Sequence, residues 1–405
     1  MSKKIILSDN KRKLSLTCAA AIIEINVDLL TEILLRVPAK SLIGFKSVSK
    51  QWLSLISDAR FCRNHTRQNP SPPISGLYFY PKRPERDQSL PLNNRLNAVS
   101  VCDHPGTSLP SFSFMEDSGP GSALTVAHSS NGLMLCTFGI SNYTVCNLTT
   151  QKFVVLPKLA VLNYKSLVWL RHYLIYDPKK SPYYRVVVVS NTYDHSGTSR
   201  FDVYSSESGS WKSTVATPGI SNPVLGHGAV WNGAIFWMHC WPGPESCSEH
   251  DHFYFRFDID AKRPTTTGVP SPGNHSKLIM YFGECGGHLL LIQIPRHNAT
   301  EFRVLEMMDG ENKFRWTVKY SVDLGPLKLP RSISYRFSVL GVMNVGANEN
   351  DLAVVLDGGG KVIQYNIKGK TSRVLCFLGF GDDFLFSTSN PLRGSYHFIE
   401  SLTLV

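Results

Sequence analysis

The chain has 405 residues, enough for two or three domains with a sizeable core in at least one of them. Hydrophobic residues make up 42% and charged residues 18%, proportions that exclude a disordered or fibrous protein. The net charge is +11, but residues 1–69 hold 12 Lys and Arg against 5 Asp and Glu, so most of the excess lies at one end. Because the remainder has no dense basic stripe, we expect no nucleic-acid partner.

The cysteines indicate a reducing compartment. All 9 are scattered, and several lie in apolar runs, a pattern typical of reduced core thiols rather than disulfides. We therefore expect the cytoplasm and/or nucleus. No stretch approaches the roughly twenty apolar residues that span a bilayer, so no membrane association is predicted. The segment Lys11–Ile23 loosely resembles a signal peptide, but it is short and runs straight into a helical pattern, so residues 1–24 are predicted to be a basic, flexible tail.

Residues 25–65 predict three short amphipathic helices. Asn26 is a suitable N-cap for the first, and Pro38 ends it and can begin the second. Apolar residues recur at helical spacing in each helix: Leu30, Ile33, Leu34 and Val37, then Leu42, Phe45 and Val48, then Trp52, Leu55 and Ile56. About forty residues cannot bury that much apolar surface alone, so either the rest of the chain or another protein covers the surplus.

This stretch resembles an F-box, whose plant pattern it follows nearly residue for residue from Asp28 to Phe61. It departs from that pattern at Ile25-Asn26, where the family usually has Leu-Pro. The resemblance implies docking onto a Skp-type adaptor and, through it, onto the cullin and RING subunit of an SCF ubiquitin ligase. The positions that it assigns to adaptor binding are Ile25, Leu29, Leu30, Ile33, Leu34, Pro38, Ser41, Leu42, Val48 and Trp52. An ordinary helical subdomain packed on the rest of the chain is the alternative.

A Pro-rich linker is predicted at 66–75, and strands are predicted from there on. Residues 76–405 are predicted to form one β-rich domain, in which the region 123–405 repeats a unit of strand, Gly-containing turn and strand, followed by a hydrophobic strand with a polar anchor. The anchors, spaced by 48 to 60 residues, are Asn147, Ser205, Asp258, Glu306 and Asn366. A kelch-type propeller blade has a period of about 50 residues. Leu77–Tyr80 and Tyr396–Val405 supply strands that could close the ring. We predict six blades, with seven as an alternative and a stack of β-sandwiches as the competing fold.

The β-rich part also resembles a known family. The phrases NGLMLC, VCNLTTQKFVVLP, FDVYSSESGSWK and YHFIESL occur in the order found in the F-box-associated domain of plant F-box proteins, a kelch-like propeller. The predicted fold class is therefore α+β multidomain, a small three-helix F-box followed by a large all-β propeller.

No catalytic or metal-binding motif stands out. The chain has no G-x-S-x-G elbow and no H-E-x-x-H pair. Five zinc-type ligands lie close together, but their spacing fits no standard zinc finger: His239, Cys240, Cys247, His250 and His252. We predict no enzyme activity, no metal and no cofactor.

Together the two resemblances imply a substrate receptor whose propeller binds an unidentified target protein. Interstrand loops carry recognition in such folds, and basic and aromatic residues in three of them are the candidates. They are Trp169, Arg171, His172, Trp241, His250, Arg296 and His297. A non-degradative F-box scaffold is one alternative; a kelch-type enzyme or glycan-binding propeller is the other.

Overall fold

The computed structural model describes sixteen stretches of the chain: 26–69, 72–80, 96–102, 108–118, 123–159, 167–192, 199–216, 225–239, 254–261, 263–267, 278–295, 300–310, 313–329, 337–346, 351–378 and 395–405. Within them four α-helices come first and β-strands follow. The helices are α1 (Val27–Leu34), α2 (Ala39–Phe45), α3 (Lys50–Ser57) and α4 (Ala59–Gln68). We call residues 26–69 the helical module. Among the described residues, none of the helices is both long and apolar enough to cross a membrane.

Polar side chains and one proline start the helices of the module. Asn26, Ser49 and Asp58 each accept a hydrogen bond from a backbone N–H in the first turn that follows them. Pro38 precedes α2, and its fixed φ suits a helix start. These residues divide a short segment into separate helices whose apolar faces can meet.

The module has four helices, although the sequence predicted three. The additional helix is α4, because Asp58 caps a new helix directly after α3: its Oδ1 accepts the N–H of Arg60 at 2.8 Å and of Phe61 at 3.0 Å. This helix continues to Gln68 and so occupies the first part of the predicted linker, 66–75.

The strands form six antiparallel sheets. Their bounds are β1 Ile74–Phe79, β2 Asn97–Ser100, β3 Leu124–Ser130, β4 Leu133–Phe138, β5 Asn142–Asn147, β6 Lys152–Val155, β7 Leu167–Ile175, β8 Arg185–Thr192, β9 Ser199–Ser205, β10 Ser210–Ala216, β11 Leu225–Trp231, β12 Ala234–His239, β13 Tyr254–Asp258, β14 Arg263–Thr267, β15 Leu278–Cys285, β16 His288–Ile294, β17 Glu301–Gly310, β18 Lys313–Asp323, β19 Ser338–Asn344, β20 Leu352–Gly358, β21 Lys361–Asn366, β22 Thr371–Phe377 and β23 Tyr396–Ile399. Five sheets have four sequential strands each; the sixth has the order β2-β1-β23.

These sheets are the blades of a six-bladed propeller, which confirms the predicted fold and blade number. The ring closes where β23 pairs with β1 in one blade, with Tyr78 opposite Tyr396 and Leu77 opposite His397. Both partners fall in the stretches predicted to close it. Hydrophobic clusters between successive blades form the core, so each blade buries both faces only within the closed ring.

The innermost strands of the blades all run in the same direction. They are β3, β7, β11, β15, β19 and β23. Residues at the ends of neighbouring innermost strands meet: Asn131 Nδ2 donates to the carbonyl of Tyr176 at 2.7 Å, and Trp231 Nε1 donates to the carbonyl of Gly287 at 2.7 Å. We call the face where these strands end the near face, and the face where they begin the far face.

The polar anchors of the repeat hold turns on the near face. Asn147, Asp258 and Asn366 each end the third strand of a blade. The side chain of each accepts backbone N–H bonds from the turn that follows it, at 2.7 to 3.3 Å. Short polar side chains form such turns readily, which explains why the sequence repeats them at blade spacing.

The segment 400–405 joins the propeller to the helical module on the near face. Asn147 Nδ2 donates to the carbonyls of Ser401 at 3.1 Å and Thr403 at 2.8 Å. Leu402 is only 1% exposed and packs in the core of the module. Lys40 of α2 also lies 3.9 Å from the carboxylate of Glu400. The module is therefore held against the propeller by side chains from both.

Candidate functional site

The helical module exposes several large apolar side chains. On α1, Leu29 is 42% exposed and Ile33 is 43% exposed, and their spacing of four residues places them on one helix face. Val48, in the turn before α3, is 60% exposed. Val27 and Leu53 are also exposed, although the sequence did not single them out. Apolar side chains left on the surface of a small module mark an interaction site.

Three predicted contact residues lie in the core instead. Leu30, Leu34 and Leu42 are each at most 1% exposed and pack with Ile56 and Phe61. Their burial separates them from a partner in this structure and supports a packing role, while their assignment to adaptor binding stays a prediction. Their role is to hold α1 and α2 in the orientation that exposes their neighbours.

The remaining predicted contact residues differ in burial. Pro38 and Ser41 are exposed, so both are accessible to a partner. Trp52 is half-buried, and its ring meets Phe45 edge-on with centroids 5.6 Å apart. Ile25 lies outside the described residues.

A buried histidine supports the module from inside. His65 of α4 contacts the carbonyl of Val37 through Nε2 at 2.8 Å, which ties α4 to the end of α1. Burial lowers the pKa of His65, and this hydrogen bond partly opposes that effect. The imidazole is therefore neutral at pH 7 and acts as a structural link.

The seven predicted target contacts do not form one loop cluster. Arg171 and His172 lie in the middle of the innermost strand β7 rather than in a rim loop as predicted. Trp169 belongs to the same strand, but its side chain is outside the described part of the structure. The other four predicted residues also lie outside it: Trp241, His250, Arg296 and His297.

The innermost strands surround a central channel. Together with the clefts that open into it, this channel has a volume of about 1900 Å³. Its lining includes His128 of β3, His172 of β7 and His397 of β23. Burial lowers the pKa of each of these three histidines to about 4, so all are neutral at pH 7.

Cys285, which has a histidine three residues further on, is unsuited to act as a nucleophile. Burial raises the pKa of Cys285 to about 12, so its thiol stays protonated and is a poor nucleophile. Nearby His288 contacts the carboxylate of Glu306, which also lies 2.9 Å from Lys319. In the stretches that the structure describes, no three His, Cys, Asp or Glu side chains converge in a way that could hold a metal ion.

Comparison with family models decides the family. Residues 22–64 match the F-box domain, and residues 92–396 match the F-box associated beta propeller domain. The chain belongs to the F-box proteins with an F-box-associated propeller. The helical module is thus the F-box. F-box proteins generally act as adaptor-binding receptor subunits, and the F-box in general implies binding to a Skp-type adaptor.

Relatives of this F-box protein occur in Arabidopsis thaliana. It is 28% identical to F-box protein At5g07610 over 93% of its own length and 92% of that protein. It is 33% identical to putative F-box protein At5g62660 over 47% of its own length and 50% of that protein. It is 28% identical to F-box only protein 8 over 60% of its own length and 79% of that protein.

Solved structures give only a distant likeness. An oligogalacturonate lyase in complex with manganese matches 62% of this F-box protein and 63% of its own chain, with a TM-score of 0.37 at 9% identity. YCF48 from Cyanidioschyzon merolae matches 77% and 88%, with the same TM-score at 11% identity. Likenesses this weak carry no argument about function.

Among the residues that line the channel of this F-box protein, the sequence pointed to Arg171 and His172 but missed others. His128, Tyr173 and His397 were not singled out, because nothing local marks a strand as innermost. The Asn131-Gly132 turn offered a usable signal: the strand just before it, β3, is the innermost strand of its blade. Aligning the repeats on such turns places their first strands around the channel.

Proposed function

We propose that this chain is the substrate-recognition subunit of an SCF-type ubiquitin ligase. The F-box binds a Skp-type adaptor, which links it to a cullin and a RING subunit, and the propeller recruits a target protein for ubiquitination. The observation that carries this proposal is the exposure of Leu29, Ile33 and Val48 on a module whose core is otherwise complete. Transfer of ubiquitin is performed by other subunits, so this chain acts by raising the target's local concentration.

The target binds on the far face in this proposal. The F-box and the segment 400–405 lie on the near face, so we assign the target to the opposite face. In chain order, Trp241 lies between β12 and β13 and Arg296 between β16 and β17, the connections that follow the second strand of a blade. The receptor would thus hold adaptor and target on opposite faces of one rigid ring.

The proposed setting is the cytoplasm and/or nucleus, without membrane or nucleic-acid partners and without a cofactor. Its support is the scattered cysteine pattern of the sequence, and the cysteines in the described part of the chain are free thiols.

Adaptor affinity tests the proposal directly. In the full-length protein, L29A combined with I33A should weaken binding to a Skp-type adaptor at least tenfold in isothermal titration, because both side chains lose apolar contact area. The matched control is V215A, which removes a comparably exposed apolar side chain from β10 of the propeller. Unchanged affinity in the double variant, or equal loss in the control, would refute the assigned surface.

A second measurement separates degradation from scaffolding. The complex should be reconstituted with adaptor, cullin and RING subunit, and partners captured by wild-type protein should be tested for ubiquitin modification. Modified partners that disappear with the L29A and I33A double variant support the receptor role. Adaptor bound without cullin, or partners that are never modified, would favour the non-degradative scaffold.

A further inference from the structure

The outer face of α4 carries three arginines. Arg60, Arg63 and Arg67 follow one another at steps of three and four residues, which places them on one face of the helix. All three are exposed. The opposite face of α4 is buried and includes Phe61 and His65. We call the three arginines the arginine stripe.

The arginine stripe has no counter-charge in the part of the chain that the structure describes. None of its guanidinium groups forms a salt bridge or a side-chain hydrogen bond with a described residue. The helix itself contains no acidic residue. Asp58, directly before it, serves as the N-cap, and its Oδ1 accepts the backbone N–H groups of Arg60 and Phe61.

Three like charges in this arrangement destabilise the helix that carries them. Arg63 and Arg67 are four residues apart, a spacing at which like charges on a helix repel each other. Arg60 also lies in the first turn, where the positive end of the helix dipole disfavours a cation. Since the arginines neither pack in the core nor pair with a described group, the fold does not account for them. A ligand of opposite charge would.

Two lysines add to the positive charge around α4. Burial raises the pKa of the Cys62 thiol in this helix; the charges of Lys46, Lys152 and Arg63 oppose that shift, and the charge of Asp58 adds to it. Lys46 directly follows α2, and Lys152 begins β6 of the propeller. The positive charge therefore continues from α4 to the blade that contains β6.

The size and chemistry of the arginine stripe favour an acidic protein segment as its partner. A guanidinium matches a carboxylate in bidentate geometry. The stripe extends over about 10 Å of helix, which covers few phosphates, whereas affinity for nucleic acid grows with the number of phosphates neutralised. None of the large apolar side chains exposed on the module belongs to α4, so this helix has no anchor for a lipid surface.

We propose that the arginine stripe binds an acidic segment of a partner protein, whose carboxylates pair with Arg60, Arg63 and Arg67. This surface is separate from the apolar surface assigned to the adaptor, which includes Leu29 and Ile33 of α1. The helical module thus has two surfaces of different chemistry. The second goes beyond the receptor function proposed above, and its test does not depend on adaptor binding.

Two peptides test the preference for carboxylates. The first is an acetylated and amidated alanine-rich helix with glutamates at the spacing of the arginine stripe, and the second has glutamine at the same positions. In isothermal titration of the full-length protein at low salt, the glutamate peptide should bind saturably with a dissociation constant in or below the millimolar range, and the glutamine peptide at least tenfold more weakly. Added salt should weaken the binding, because exposed ion pairs are screened. Absence of saturable binding, or equal binding of the two peptides, would overturn the proposal.

Matched charge variants locate the site. The stripe variant combines R60Q, R63Q and R67Q, and it should bind the glutamate peptide at least tenfold more weakly than the wild-type protein does. The control variant removes three exposed charges from propeller strands: K212Q, R303Q and R315Q. The control should leave the affinity unchanged. Equal weakening in both variants would show that the peptide responds only to net charge.

Thermal unfolding distinguishes binding from support of the fold. Because the stripe variant relieves repulsion along α4, its unfolding midpoint should equal or exceed that of the wild-type protein. If the midpoint falls, the arginine side-chain signals of the wild-type protein decide the question. In nuclear magnetic resonance spectra they should shift with the glutamate peptide and not with the glutamine peptide, and a lack of any such shift would overturn the proposal.

Two further titrations distinguish the acidic segment from other partners. The stripe variant should bind a Skp-type adaptor as tightly as the wild-type protein does; a tenfold loss would make the stripe part of the adaptor surface and overturn a separate site. A thymidine oligonucleotide with the same net charge as the glutamate peptide should bind more weakly than that peptide. Tighter binding that requires the arginine stripe would overturn the proposal in favour of nucleic acid.

Discussion

At the scale of single residues, neighbouring side chains of the F-box differ in whether they pack in its core or are exposed to solvent. Leu29 and Leu30 are neighbours in α1, yet one faces solvent and the other is buried. The same contrast appears in α3, where half-buried Trp52 precedes Leu53, which is 48% exposed. Helical geometry causes both, because successive residues point about 100° apart around the axis.

This contrast predicts different outcomes for two adjacent substitutions. W52A should destabilise the F-box by about 2–4 kcal/mol, because the indole loses its packing and its edge-on contact with Phe45. L53A should cost less than about 1 kcal/mol. Amide hydrogen exchange across 26–69 measures both. Equal exchange in the two variants would contradict the assignment of Trp52 to the support of the fold.

The channel histidines predict a loss of stability in acid. The pKa of His128, His172 and His397 falls from 6.5 to about 4 on folding. The unfolded chain therefore binds more protons between those values, and stability falls as pH decreases from about 6.5 to 4, by at most about 3 kcal/mol per ring. The facing groups are Arg171, whose charge favours the neutral form of His172, His397, which does the same for His128, and Tyr173, which stays protonated.

Urea unfolding at pH 7 and pH 5 checks this prediction. The midpoint should be lower at pH 5, and H397Q should reduce the difference. His65 in the F-box contributes with the same sign and remains in the variant, so some dependence should persist. A midpoint that does not move between the two values would contradict the neutral, buried state of these rings.

At the scale of elements, blade turns that begin with the same residue type differ in how many parts of the structure their side chains connect. Asn147 and Asn366 both cap the turn after a third strand. Only Asn147 also donates to the carbonyls of Ser401 and Thr403. One asparagine therefore joins two parts of the molecule, while the other closes a local turn.

N147A should cost about 2–4 kcal/mol, because it removes a turn cap and leaves buried carbonyls without donors. N366A should cost about 1 kcal/mol, the usual value of a single local cap. Thermal unfolding of the two variants measures the difference. Equal losses of stability would show that Asn147 contributes only the cap of its own turn.

The sequence predicted some of these features and not others, for physical reasons. The polar anchors and Gly turns predicted the six blades, because turn chemistry is local and repeats. The pairing of β1 with β23 was predicted because a closed ring needs a last pairing, and two strands at the ends of the propeller were available for it. In contrast, the burial of Leu30 and Leu34 depends on how α1 packs, and the meeting of His128, Tyr173 and His397 depends on ring closure. Neither is encoded within a short stretch of sequence.

At the scale of the whole molecule, the F-box and the propeller share one core residue. Leu402 follows the last strand of the propeller and packs inside the F-box. L402A should destabilise the F-box by about 2–5 kcal/mol through the cavity it leaves.

Hydrogen exchange locates the effect of L402A. Exchange should rise in α1 and α2, far from the substituted position in sequence. V374A, on the exposed side of β22, is the control and should leave those helices unchanged. If L402A raised exchange only in the propeller, the shared core would be refuted.

Shared packing also sets an order of events during synthesis. The F-box leaves the ribosome first, but its core lacks Leu402, and the closing blade lacks β23, until residues 396–405 have been made. A nascent chain, or one cut short before that point, therefore carries an unfinished F-box. Under the function proposed above, the adaptor meets a complete docking surface only on a chain whose propeller can close, so one short segment makes entry into the ligase depend on a finished receptor.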